Sequence, residues 1–146
     1  MQITKKILLS TIAISTLALT SVSLATPTTL HTDNYSRFYI ATEVNGFCST
    51  LFGLGHGVTG PGTPGTANAT WSQVTQLCKS TSCVATTKSF TSNPGTGLLC
   101  PGGTVIATAT MNTYTGAIAF TNVLSGWTFS NNVSGDISTV TIHSNT

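Results

Sequence analysis

The sequence predicts a mainly β domain with one short helix (α+β), a small antiparallel sheet or sandwich stabilised by disulfides. Three observations predict it. Thr accounts for 30 of the 146 residues. With Ser it takes the place of Lys and Glu as the polar partner of apolar side chains, and β-branched residues pack well on a pleated surface. Gly and Pro recur at short intervals between alternating runs, as they do between short strands. Four cysteines, Cys48, Cys78, Cys83 and Cys100, follow an export signal, and an even count in an exported chain reads as two disulfides.

The signal is MQITKKILLSTIAISTLALTSVSLA. Lys5 and Lys6 form its positive start, Ile7 to Leu19 its apolar stretch, and Ser23 and Ala25 the small residues of a cleavage site. Cleavage after Ala25 leaves Thr26 as the mature N-terminus, and the protein is expected to be secreted or periplasmic. No Cys follows the apolar stretch to carry a lipid, and no twin Arg precedes it. No later apolar stretch reaches the roughly 20 residues of a membrane span.

Charged residues make up 5% of the chain, against roughly 25% in an average soluble protein. With 40% hydrophobic residues and a mean hydropathy of +0.27, this is not the composition of a disordered chain. The length suits a single domain, expected over residues 37–146. After signal cleavage Arg37, Lys79 and Lys88 balance Asp33, Glu43 and Asp136. A surface with six charges and no net charge cannot bind nucleic acid by neutralising phosphates. It favours contact with itself or with neutral surfaces, glycans among them.

Residues 26–36 are polar and read as a flexible lead-in. Residues 37–44 alternate, with Phe38, Ile40, Thr42 and Val44 on one face and Tyr39, Ala41 and Glu43 on the other: a strand, ended by the turn pair Asn45-Gly46. Residues 53–68 read as a long, mobile Gly/Pro loop. Thr70 and Gln73 match a capping box. Trp71, Val74, Thr75 and Cys78 then fall on one helical face, predicting a helix over 71–79. Strands follow at 83–90, 104–111 and 117–123, the last two as a hairpin, then at 127–130 and 137–143.

Strand geometry narrows the disulfide pairing. If 83–90 and 104–111 pair antiparallel through the loop 91–103, Cys83 lies near Met111 and Cys100 lies at the far end. The separation is about seven residues at roughly 3.3 Å each, beyond the limit near 7 Å between bridged Cα atoms. Cys78 and Cys83 flank one short turn. Cys48 ends the first strand, and if that strand runs antiparallel to 104–111 it comes close to Cys100. The expected bridges are Cys78–Cys83 and Cys48–Cys100.

The order Ser36-Arg37-Phe38, Ile40-Ala41-Thr42, Val44-Asn45-Gly46 and Cys48-Ser49 is similar to the opening of small exported four-cysteine proteins of Gram-negative bacteria. So is the later order Cys78, Cys83, Cys100, Gly102, Val105 to Thr110, then Thr115-Gly116. The likeness covers most of residues 36–120. It implies one compact exported domain and carries no catalytic residue over.

Chemical motifs are sparse. Gly55-His56-Gly57-Val58-Thr59-Gly60 has the form G-x-G-x-x-G, but Pro61, Gly62 and Pro64 follow where a dinucleotide site needs a helix start. No zinc-ligand spacing exists among the cysteines and His31, His56 and His143. No cofactor and no metal is expected. The acids Asp33, Glu43 and Asp136 lie on separate segments, and no G-x-S-x-G anchors a Ser-His-Asp set from Asp136 and His143. Trp71, Phe38, Phe90, Phe120 and Trp127 are expected in the core. Tyr39 and Tyr114, together with the loop residue His56, are the expected ligand contacts. The first functional expectation is a non-catalytic exported protein that acts by contact with a protein or glycan surface. A self-associating subunit of a surface layer or fibre comes next, since Thr-rich strands without charge leave edges unprotected. A small secreted hydrolase comes last.

Overall fold

Strand alternation, one tight turn and a capping box build most of the chain's regular structure. The computed structural model describes residues 26–146, so the expected signal peptide, residues 1–25, lies outside the described residues. In chain order the described elements are β1 (Thr29–Tyr35), β2 (Tyr39–Val44), β3 (Phe47–Cys48), a 3-10 turn (Ser49–Phe52) and β4 (Gly65–Thr70). Then come α1 (Trp71–Leu77), β5 (Ser82–Phe90), β6 (Thr104–Asn112), β7 (Ile118–Thr121), β8 (Trp127–Ser134) and β9 (Ile137–Ser144).

The turn pair Asn45-Gly46 joins β2 to β3 with φ of 52° and 83°. Two positive φ values in a two-residue loop match the twist of the flanking strands. α1 begins at the expected capping box: Gln73 N donates to the Thr70 hydroxyl at 3.2 Å, and Thr70 N donates to the Gln73 side chain at 3.0 Å. Trp71, Val74 and Cys78 are buried. Thr75 is exposed, and its hydroxyl donates to the carbonyls of Trp71 and Ser72. The helix ends at Leu77, two residues short of the expected span.

The strands form two sheets, ordered β4-β1-β9-β8 and β3-β2-β5-β6-β7. They face each other as a sandwich: Ile40 and Ile106 of the second sheet pack with Trp127, Val140 and Ile142 of the first. Neighbouring strands are antiparallel throughout, except that β1 runs parallel to β9. The β5–β6 hairpin has the register that the pairing argument needs, with Cys83 opposite Met111 and Ser89 opposite Thr104. The bridges are Cys48–Cys100 and Cys78–Cys83.

Three expectations need correction. The lead-in, residues 26–36, holds β1, a central strand between β4 and β9. Its inward side chains are Leu30, Thr32 and Asn34, too few aliphatics to read as a strand. Asn34 is fully buried. Its amide donates to the carbonyls of Phe38 and Gly60, and its side-chain oxygen accepts from the Ser36 backbone and hydroxyl. The loop 53–68 is built rather than open. It pairs through Leu54 with Val58 and through Thr59 with Ile40, and β4 starts at Gly65. Gly57 permits this fold-back, since a Cβ there would sit 1.8 Å from the Ser49 carbonyl oxygen. Finally, β2 lies beside β5 and not beside β6. Cys48 meets Cys100 because the loop 91–103 folds across the sheet: Cys48 N donates to Leu98 O at 2.8 Å, and the Thr50 hydroxyl donates to Gly97 O.

No helix among the described residues is long and apolar enough to cross a membrane. The two disulfides accord with an oxidising, extracytoplasmic compartment.

Candidate functional site

The three expected contact residues lie in different neighbourhoods. Tyr39 is half-buried, packed on Ala41, Cys48, Val58, Phe90 and Cys100. It points away from the sandwich interior, as its strand position requires, but the loops 53–59 and 91–103 cover that outer face. His56 is exposed, and its Nδ1 lies 3.1 Å from the carbonyl oxygen of Asn68. A carbonyl only accepts, so Nδ1 carries the proton in this contact. With Asn68 N donating to Gly55 O, the loop pairs both backbone groups of Asn68 on the outer edge of β4. Tyr114 is 67% exposed, in the turn between β6 and β7. It borders a groove with Thr26, Trp71 and Lys79.

The acids do not converge. Asp33 pairs with His31 at 2.9 Å and Glu43 with Lys88 at 3.1 Å. Asp136, in the turn between β8 and β9, accepts from the Thr28 backbone and hydroxyl. His143 lies at the other end of β9, about 23 Å away at 3.3 Å per residue, so Asp136 and His143 cannot share one catalytic centre.

The outer face of the first sheet is the most regular surface. The pairing registers align Thr70, Thr29, Ile137 and Ser134 in one row across the strands. The next rows are Asn68, His31, Thr139 and Asn132, then Thr66, Asp33, Thr141 and Ser130, and the last is Tyr35, His143 and Thr128. All of these side chains are exposed or half-buried. Asp33 is the only carboxylate of these rows, which contain no Lys or Arg, and it is paired with His31. His31 holds the middle of the face, with Nδ1 2.7 Å from the Asn68 side-chain oxygen and Nε2 2.9 Å from Asp33. At the end of the face the Tyr35 ring stacks on His143, with centroids 4.6 Å apart and planes 5° from parallel. Tyr35 thereby presents a fixed, exposed ring beside ranks of hydroxyl and amide groups.

Tyr35, His31 and the Thr rows escape a reading by local pattern because β1 resembles a polar tail. The usable signal was the alternation of Leu30, Thr32 and Asn34 with Thr29, His31, Asp33 and Tyr35.

A second surface is apolar. Phe47, Leu51, Leu54, Leu98 and Leu99 are exposed, on the two segments that Cys48–Cys100 joins. No protein family, curated protein or solved structure matches this chain.

Proposed function

We propose that this is an exported bacterial protein, secreted or periplasmic, that acts by contact and holds a neutral polysaccharide on the outer face of its first sheet. The observation that carries the reading is the rows of Thr, Asn and Ser across four strands, with Asp33 as their single carboxylate, paired to His31, and the Tyr35–His143 stack at one end. Hydroxyl and amide groups exchange hydrogen bonds with sugar hydroxyls, and an apolar ring face suits the C–H side of a pyranose. Size favours a chain-like partner. Four strands about 4.8 Å apart and four rows about 7 Å apart span roughly 14 by 20 Å. That area, about 300 Å², is well short of the roughly 800 Å² per side of a stable protein interface.

Pull-down of the mature protein on insoluble cellulose, chitin and bacterial sacculi tests this. Retention on at least one neutral polymer is expected, undiminished in 1 M salt, because no ion pair carries it. Tyr35→Ala and Thr141→Lys should release the protein. Thr86→Lys, on the opposite sheet, should not. No retention on any polymer, or retention indifferent to Tyr35→Ala and Thr141→Lys, overturns the proposal.

Self-association is the second reading. It is favoured by the exposed Phe47, Leu51, Leu54, Leu98 and Leu99 and by β8, an eight-residue edge strand without a charge. Sedimentation of a monomer at high concentration would dismiss it.

A further inference from the structure

We infer that the space between the two sheets is a ligand site for a small uncharged apolar molecule, the size of one aromatic ring or a short alkyl chain. The interior of the sandwich is divided. One cluster centres on Val44, Trp71, Val74 and Met111, and the other on Ile40, Ile106, Trp127, Val140 and Ile142. Leu30 and Ile118 are the only described side chains that pack against both, and both are half-buried.

Between the clusters lies a cavity of about 140 Å³. Its cause is legible in the side chains. Facing sheets stand about 10 Å apart, a gap that large residues fill. Here the inward positions include Ala69 on β4 and Thr32 on β1, facing Thr42, Ala85, Thr87 and Ala109 on the second sheet. The volume is close to the roughly 150 Å³ of an apolar protein cavity that stays dry and takes up benzene.

The lining also sets the ligand's charge. Among the described residues, no Asp, Glu, Lys or Arg is part of it. An ionic ligand would lose its hydration with no partner to replace it. Ser49 spends its hydroxyl on Thr42 N and Gly57 O, and Gln73 its side-chain oxygen on Thr70 N, so the Thr42 hydroxyl and the Gln73 amide nitrogen are the groups that could meet one hydroxyl or carbonyl of the ligand. Among the described lining residues His56 is the one that is exposed, which places the solvent-facing part of the lining on the 53–59 loop.

Benzene titrated into the mature, oxidised protein is the probe, followed by thermal unfolding and by methyl NMR of Leu30, Ile118 and Val140. A saturable rise in Tm and saturable shifts of those methyl signals are expected. Sodium benzenesulfonate at the same concentrations should give neither. Ala109→Leu should fill the space from one sheet and weaken benzene binding at least tenfold, with the free protein no less stable. Ala69→Val does the same from the other sheet if the larger replacement does not fold. Absence of a saturable response to benzene in the wild-type protein, equal binding of benzenesulfonate, or undiminished benzene binding in a folded filled variant overturns the inference.

Discussion

Removing the two disulfides separately should destabilise the protein by unequal amounts. Cys48–Cys100 spans 52 positions of sequence and Cys78–Cys83 spans 5. In the chain-entropy model the longer loop contributes about 4 kcal/mol and the shorter about 2. Contacts add to the difference. Cys48 and Cys100 are both buried, and their bridge fixes the loop 91–103 over the outer face of β2 and β5, where Lys88 also donates to the Cys100 carbonyl oxygen at 3.4 Å. Cys78–Cys83 ties the end of α1 to the neighbouring start of β5, which are close in any case. The assay is urea unfolding of two double variants, Cys48→Ala with Cys100→Ala and Cys78→Ala with Cys83→Ala, each against the oxidised wild type. The first should lose about twice as much stability and show the larger rise in m, because its denatured chain is released from the larger loop. Equal losses, or a larger loss from the short bridge, would refute the reasoning.

Three other substitutions probe single links. Asn34→Ala removes both donors and the acceptor that serve Phe38, Gly60 and Ser36 inside the sandwich; several buried groups lose partners, and chemical denaturation should show a loss of about 3 kcal/mol. Thr70→Ala deletes half of the capping box of α1 and should cost about 1 kcal/mol in the same measurement. Gly57→Ala drives a methyl group into the Ser49 carbonyl; proteolysis should then cut the loop 53–64 far faster than in the wild type.

Local signals were enough wherever a contact joins near neighbours in sequence. The Asn45-Gly46 turn and the Thr70–Gln73 capping box each follow from a few adjacent residues, and the β5–β6 hairpin pairs two alternating runs that are consecutive in the chain. The register of the β5–β6 hairpin also excluded a Cys83–Cys100 bridge. The other half of that argument reached Cys48–Cys100 through a strand arrangement that does not occur, since β2 neighbours β5. What stayed hidden depends on distant partners. β1 is a strand because β9, about a hundred residues later, runs parallel to it, and no short-range pattern encodes that pairing. Asn34 is tolerated in the interior only because four hydrogen bonds converge on it. β4 places Ala67 and Ala69 inward from within a Gly/Pro-rich stretch whose apolar content is too small to read. The candidate binding face was illegible for the same reason, as it exists only once β1 and β9 lie side by side. Tyr39 shows a different limit: alternation gives its direction but cannot show that two loops pack on that face and leave the ring half-buried.

The most direct measurement of the central claim is amide chemical-shift mapping of labelled protein, residues 26–146, titrated with soluble cello- and chito-oligosaccharides. The account predicts saturable shifts along β1, β8 and β9, strongest near Tyr35, His143 and Thr141, with β5 and β6 unchanged. Shifts gathered instead around Tyr114 or around Leu98 and Leu99, or no shift with any neutral oligosaccharide, would contradict it.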